Sequence, residues 1–163
     1  MPAPQTFDCP DLDATLRVAA RVAASLTPGC VIALHGPMGA GKTTFVRGLA
    51  AALGVAPALV SSPTFVVINT YPIAPAARKA NIDLLIHVDA YRLSGSDDLD
   101  SLGWERLFDE QGRARGNAAA IIEWPQKIAA AIGRDVTHVK ITPVGESSRR
   151  IEWNTAANPP ANG

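Results

Sequence analysis

The fold of this 163-residue chain is decided by one stretch of its sequence, CVIALHGPMGAGKTT at residues 30–44. Its first six residues form a short apolar run rich in branched side chains, which predicts a buried strand. A glycine-rich turn follows directly, and the apolar spacing after Lys42 predicts a helix that runs to about Leu53. A strand, a glycine-rich turn and a helix in this order are typical of a phosphate-binding loop.

The turn itself, residues 36–43, fits the pattern of a glycine, four residues and then Gly-Lys-Ser/Thr, and we call it the phosphate loop. Glycines let the backbone take left-handed angles and approach phosphates closely, while successive amides and the positive end of the following helix attract an anion. Lys42 is expected to reach the β- and γ-phosphates, and Thr43 to offer its hydroxyl to Mg²⁺. We therefore predict a nucleoside triphosphate site with Mg²⁺. Its expected nucleotide-binding residues in this segment are Gly36, Met38, Gly39, Ala40, Gly41, Lys42, Thr43 and Thr44.

Two acidic residues are candidates for the magnesium side of this site. Asp89 ends the apolar run 84–88, and Glu123 follows the apolar run 118–122. Ligands of parallel sheets meet the carboxyl ends of the strands, so both acids could reach the phosphate loop. A helix cap or turn residue for Asp89, and an ion pair at a strand end for Glu123, are the ordinary structural alternatives. Spacing alone does not rank the two acids.

Three further residues stand near these elements. Thr64 lies in a Ser-Pro-Thr loop after the predicted helix and could close over the γ-phosphate, as switch loops do; a plain turn capped by Ser62 is the alternative. His87 lies within an apolar run, and His35 precedes the first glycine. A histidine in such a place is expected to be a hydrogen-bonded core residue rather than a catalyst.

The rest of the chain predicts an α/β protein. We expect strands at 5–8, 66–71, 84–89 and 118–122, a final hairpin at 137–142 and 149–153, and short helices at 96–102, capped by Ser96, and after Pro125. A first helix is predicted from the spacing of Leu12, Leu16, Ala19, Ala20, Ala23 and Leu26. The fold class is a three-layer P-loop NTPase-like sandwich with a mostly parallel sheet and a C-terminal β-hairpin. Residues 1–153 form its single domain and 154–163 a disordered tail.

Composition excludes some other classes. The chain has 15 Lys plus Arg and 15 Asp plus Glu, so it lacks the large basic footprint of a tight nucleic-acid binder. Two cysteines make no disulfide framework. The N-terminal residues lack the layout of a signal peptide, and no apolar run approaches the roughly 18 residues that cross a bilayer. We expect a cytoplasmic protein with no membrane association.

Four motifs in order resemble the TsaE family, formerly called YjeE. They are the phosphate loop, Ser62-Pro63-Thr64-Phe65, His87-Val88-Asp89-Ala90-Tyr91-Arg92-Leu93 and Glu123-Trp124-Pro125. The resemblance covers about residues 5–153, and the last three motifs make it far more specific than the loop alone. Members of this family are small bacterial ATPases needed for threonylcarbamoyladenosine, a modification of adenosine 37 in tRNAs that read codons beginning with A.

The resemblance implies a role for each matching residue. Lys42 and Thr43 would hold phosphate and magnesium, Asp89 would be a second residue on the magnesium side, and Glu123 a third, near the metal and the attacking water. Thr64 would lie in a switch-like loop, and Trp124 beside the nucleotide. The implied catalytic residues are Lys42, Glu123 and Thr64, the metal residues are Thr43, Asp89 and Glu123, and the cofactors are ATP and Mg²⁺.

The resemblance also implies partners. The family acts with the protein pair TsaD and TsaB, and with tRNA indirectly through them, and its ATP cycle resets their complex. We find no convincing arginine in the sequence to meet charge developing on the γ-phosphate, so we expect slow hydrolysis alone and stimulation by the pair. Arg92, just beyond Asp89, is the internal alternative.

Other classes with the same loop remain open at this point. A small-molecule kinase would need a lid with several arginines, and only Arg113 and Arg115 are clustered, in the turn-like stretch 111–117. A signalling GTPase would need an Asn-Lys-x-Asp guanine reader, which the sequence lacks. A nucleotide-binding adaptor without hydrolysis is the third alternative.

Overall fold

A seven-stranded mixed sheet is the centre of the structure, a computed structural model that describes residues 3–61, 67–78 and 81–154. The strands are β1 (Gln5–Cys9), β2 (Val31–His35), β3 (Ile68–Pro72), β4 (Leu84–Asp89), β5 (Ala118–Glu123), β6 (Thr137–Pro143) and β7 (Arg149–Asn154). The α-helices are α1 (Leu12–Ala24), α2 (Lys42–Ala52) and α3 (Trp104–Leu107). Short 3-10 segments span Pro57–Leu59, Pro75–Ala77, Ser96–Leu102 and Pro125–Ala131, the last interrupted at Ile128.

The strand order is β1-β7-β6-β2-β5-β4-β3. The four central strands, β6, β2, β5 and β4, run parallel, whereas β3 pairs with β4, β7 with β6, and β1 with β7 in antiparallel fashion. This topology confirms the predicted α/β class, with its mostly parallel sheet and its C-terminal hairpin β6–β7. The division into one domain and a tail stays a prediction, because residues 155–163 lie outside the described part of the chain.

Each face of the sheet carries its own apolar core. Successive strand residues point to opposite faces, so Ile32 and Leu34 of β2 pack with α1 and α2, whereas Val31 and Ala33 pack with the 3-10 segments and α3. All six residues of β5 are buried. A central parallel strand covered on both faces is apolar along most of its length, which explains the continuous apolar runs in the sequence; in β5 only the last residue, Glu123, is charged.

The contact face of α1 agrees with the predicted one at Ala19 and Ala23 and differs from it at Leu12 and Ala20, which are exposed. Leu12 is 54% exposed, and the buried residues are Ala14, Thr15, Val18, Ala19, Val22 and Ala23. Leu12 lies about 200° around the helix from Ala14, outside the stripe that meets the sheet and α2. Small residues line the α1–α2 contact, where a Cβ on Gly48 would lie 2.7 Å from Cδ2 of Leu16.

Two smaller expectations also need correction. Ser96 does not cap its helix: it is the first helical residue after Gly95, and the Asp98 carboxylate instead accepts bonds from the backbone N–H and hydroxyl of Ser94, both at 2.8 Å. The four-residue helix α3 was not predicted, because one turn is too short to show a period. No helix in the described ranges is both long and apolar enough to cross a membrane.

Candidate nucleotide-binding site

The phosphate loop joins the carboxyl end of β2 to the first turn of α2. Gly39 (φ 77°) and Gly41 (φ 98°) take left-handed angles, which residues with a Cβ rarely adopt. Gly41 is also the N-cap of α2, and no side chain caps this terminus, so the first amides of the helix face outward as an anion site requires. Of the predicted residues, Met38 is 68% exposed at the tip, Ala40 is buried, and Thr43 and Thr44 lie in the first turn of α2.

Lys42 is held at the loop by its own backbone. Its side chain is largely buried (6% exposed), and Nζ donates to the carbonyl oxygens of Gly36 at 2.7 Å and Pro37 at 2.8 Å. The ammonium also lies 4.3 Å from the ring centroid of Trp124. Burial lowers the pKa of Lys42, and the negative charges of Glu123 and Asp89 oppose that shift. The Lys42 ammonium is thus held at the phosphate loop, where the charge of a bound phosphate would have to be neutralised.

Asp89 and Glu123 end neighbouring parallel strands and are direct partners in the register of β4 and β5. On the other side of β5, Glu123 pairs with Leu34 of β2, just before the phosphate loop. The structure therefore brings both predicted acids to the same edge of the sheet as the loop. Burial raises the pKa of Asp89, and a bond from the Tyr91 backbone N–H to Oδ1, at 3.0 Å, opposes it.

These acids and the Thr43 hydroxyl are the hard oxygen donors that Mg²⁺ prefers. In the described part of the chain no cluster of three or more His, Cys, Asp or Glu could hold a metal by itself. Mg²⁺ is commonly bound by one or two carboxylates together with substrate phosphates. The donor set therefore fits a metal that arrives with a nucleotide rather than a resident ion.

His87 turns out to be a partner of Glu123. Its Nε2 lies 2.8 Å from Glu123 Oε1, and the two residues are 0% and 3% exposed. Nδ1 has no partner among the described residues, so we assign the proton to Nε2, which donates to the carboxylate. The expectation of a hydrogen-bonded core histidine is confirmed. Its partner could not be foreseen, since it depends on β4 and β5 being neighbours.

Trp124 follows Glu123 in a left-handed conformation (φ 56°) that is uncommon for residues other than glycine. Its ring contacts the Lys42 ammonium and lies 5.0 Å from the Tyr91 ring. This places Trp124 at the phosphate loop; its role beside a bound nucleotide stays a prediction. Thr64, with the rest of its Ser-Pro-Thr-Phe motif, lies outside the described residues, and its role stays a prediction.

Two other sequence candidates have local partners. His35 is only partly buried, and its Nε2 is bonded to Nδ1 of His138 at 3.0 Å across β2 and β6. Arg113 bonds the Asp109 carboxylate, and Nε of Arg115 donates to the carbonyls of Glu105 and Phe108. The arginines considered for a kinase lid are thus bonded within residues 105–115.

Sequence reasoning missed Arg149, at the start of β7. Its Nε donates to the carbonyl oxygen of Ala40 in the phosphate loop at 2.8 Å. The two residues are 109 positions apart, and no local pattern points from one to the other.

Comparison with known proteins shows which family the chain resembles. The family model "Threonylcarbamoyl adenosine biosynthesis protein TsaE" matches residues 9–151. The chain is 32% identical over 144 residues to the tRNA threonylcarbamoyladenosine biosynthesis protein TsaE of Bacillus subtilis, with 88% of this chain and 81% of that protein covered. It is 38% identical over 146 residues to the protein of the same name in Streptomyces coelicolor, with 83% and 91% covered.

A solved structure agrees in fold. The crystal structure of YdiB from Bacillus subtilis superposes with a TM-score of 0.66 at 25% sequence identity, covering 95% of this chain and 87% of that one.

Proposed function

The chain belongs to the TsaE family of threonylcarbamoyl adenosine biosynthesis proteins, and on this premise we propose that it is the ATP-hydrolysing component of that tRNA modification machinery in the cytoplasm. One observation carries the proposal. Lys42, at the side-chain-uncapped N-terminus of α2, lies near the carboxylates of Asp89 and Glu123, which end adjacent strands. ATP with Mg²⁺ is the ligand that this arrangement of charges suits.

Each group has a task in this proposal. The amides of the loop and the N-terminus of α2 bind the phosphates, and the Lys42 ammonium neutralises charge on the β- and γ-oxygens. Thr43 and Asp89 hold the magnesium shell, and bound Mg²⁺ would supply further neutralisation of phosphate charge. Glu123, fixed by His87, orients the attacking water, and Thr64 closes over the γ-phosphate.

Hydrolysis by the chain alone is proposed to be slow. An arginine that meets the γ-phosphate contributes about 10³–10⁵ in rate where it has been measured, and it can come from another chain. Arg149 bonds the loop, but its guanidinium is engaged by backbone carbonyls. We propose that the TsaD–TsaB complex accelerates hydrolysis, that the ATP cycle resets this complex, and that tRNA is met indirectly through it.

A reconstitution tests the proposal. ATP hydrolysis is measured for the chain alone, with TsaD and TsaB, and with the pair and tRNA, while modified adenosine is counted per complex with and without this chain. We expect little hydrolysis alone, stimulation by the pair, and several rounds of modification only when the chain is present. Binding of ATP with no hydrolysis in any arm would make it an adaptor. Fast turnover that ignores the pair would indicate a self-sufficient ATPase or kinase.

A further inference from the structure

Arg149 connects the phosphate loop to the last hairpin of the chain. Its Nε donates to Ala40 O at 2.8 Å, and its Nη1 lies 2.9 Å from Ser148 O and 3.2 Å from Gly145 O in the β6–β7 turn. The planar guanidinium thus holds the loop and the turn at a fixed separation. Its side chain points to the α2 side of the sheet, because the next residues on that face of β7, Ile151 and Trp153, pack in the core with α2.

The bond to Ala40 O has a consequence within the loop. In a planar trans peptide the C=O and the next N–H point in opposite directions, and the described chain has no cis peptide. Fixing Ala40 O toward Arg149 therefore fixes the Gly41 N–H away from Arg149 and from the β6–β7 turn. Gly41 has a left-handed φ of 98°, and its freedom as a glycine would otherwise let this peptide plane rotate.

The Gly41 amide is one of the donors that the loop can offer to a ligand. The N–H of Ala40 is already bonded to Pro37 O at 3.1 Å, and the first α2 bond runs from Phe45 N to Gly41 O at 2.9 Å. The amides between these two, beginning with that of Gly41, lie at the uncapped helix terminus.

We propose that Arg149 is a positioning residue of the phosphate site, which presets the Ala40–Gly41 peptide so that the Gly41 N–H is presented to a nucleotide phosphate. The inference rests on the proposed nucleotide binding. It assigns to Arg149 an effect through the backbone, since its Nε and Nη1 donate to carbonyl oxygens. A preset amide binds phosphate without the cost of being ordered at the moment of binding.

The chain offers a matched control in Arg150. It has the same charge and is the next residue of the same strand, but its side chain points to the other face of the sheet and bonds Asp8 Oδ1 at 2.8 Å. Both partners of that pair are more than half exposed, so losing it has little effect on stability. Replacing Arg150 removes one positive charge near the same hairpin without touching the phosphate loop.

The test compares Arg149→Ala, Arg149→Lys and Arg150→Ala by calorimetric titration with ATP and ADP and by thermal melting. We expect Arg149→Ala to weaken both nucleotides by about tenfold to a hundredfold, the range for one charged hydrogen bond, and Arg150→Ala to leave them unchanged. Arg149→Lys should stay well below wild type, because a flexible ammonium does not reproduce the planar fork. Wild-type affinity in Arg149→Lys would mean that charge alone matters and would overturn the inference.

Two readouts separate positioning from general stabilisation of the hairpin. Millimolar guanidinium, far below its denaturing range, should restore nucleotide affinity to Arg149→Ala, whereas sodium chloride at equal concentration should not.

In wild type, ATP should move the Gly41 amide proton downfield in the nitrogen–proton spectrum, and this shift should shrink in Arg149→Lys. A folded Arg149→Ala with unchanged affinity, or a Gly41 amide indifferent to ATP, contradicts the inference alone. Failure of wild type to bind ATP would refute the proposed function and the inference together.

Discussion

Asp89 and Glu123 are neighbours in register, but their surroundings differ. Asp89 is partly exposed and accepts a bond from the Tyr91 backbone N–H, whereas Glu123 is almost fully buried and accepts a bond from His87 Nε2. A carboxylate with open lone pairs suits a metal shell, and one whose orientation is fixed suits a water. The structure thus provides a physical reason to divide the roles that spacing left unranked.

We expect the two acids to separate in a mutational test. Asp89→Ala should weaken the dependence of ATP binding on Mg²⁺, while Glu123→Ala should keep ATP binding within a few-fold and lose hydrolysis. Titrations with and without Mg²⁺ and a partner-stimulated hydrolysis assay measure both effects. Asp83→Ala is a suitable control, because Asp83 lies just before β4, at the opposite end of the strand. Wild-type hydrolysis in both variants would exclude the acids from the site.

His35 makes stability depend on pH. Burial lowers its pKa in the folded chain, and the nearby His138 and Lys140 lower it further. The unfolded chain, with a pKa of about 6.5, then binds this proton more readily. The contribution of neutral His35 to the free energy of unfolding is therefore fully present above about pH 6.5. It is lost as the pH falls toward the pKa of His35 in the folded chain.

We expect the unfolding free energy of His35→Gln to decline less than that of wild type between about pH 7.5 and pH 5.5, where histidine titrates. Denaturant melts at a series of pH values give both curves, and their difference isolates His35 from the carboxylates. Parallel curves would show that this histidine is not responsible.

At the scale of single elements, α1 begins at a side-chain cap. Asp11 Oδ1 accepts the N–H of Ala14 at 2.8 Å, so one of the unpaired amides of the first turn is satisfied. Asp13, exposed in the same turn, carries the same charge near the helix N-terminus and makes no cap.

Asp11→Ala should lower the unfolding free energy by about 1 kcal/mol, the usual loss for an N-cap. Asp13→Ala should cost less, because it removes only a favourable charge near the helix dipole. Urea melts of both variants make the comparison. An equal loss in both would mean that charge, and not the bond to Ala14, stabilises the start of α1.

The elements also show how far the sequence could be read. The strands were predicted to within one or two residues. For β2, β4 and β5 the reason is that buried parallel strands are continuous apolar runs bounded by polar residues. The phosphate loop followed from its own pattern. The prediction for α1 was wrong at Leu12 and Ala20, since spacing gives a period but not how wide the buried stripe is. The contacts of Glu123 with His87 and of Ala40 with Arg149 depend on strand order, which no local pattern encodes.

At the scale of the whole molecule, a ligand that binds only the folded chain stabilises it. ATP with Mg²⁺ at about 100 times its dissociation constant should add about 2.7 kcal/mol to the unfolding free energy. Lys42→Ala should bind ATP about tenfold to a hundredfold more weakly, which at the same ATP concentration leaves a gain of only about 1.4 to 0.4 kcal/mol. Thermal melts with ATP, GTP and no nucleotide measure this, and we expect ATP to stabilise more than GTP. An equal gain in Lys42→Ala would contradict the assignment of this lysine.

The order of strands also sets when the phosphate loop is completed during synthesis on the ribosome. The loop is translated early, but β2 lies between β5 and β6, and Arg149 of β7 follows Ala40 by 109 residues. At about 5–20 residues per second, that interval is roughly 5–20 seconds. The pairing of β1 is delayed longer still, because its partner β7 is the last strand to be synthesised and the Asp8–Arg150 contact spans 142 positions. A nascent chain thus contains the phosphate loop for several seconds before β5, β6 and Arg149, which pack beside it or bond to it, have been synthesised.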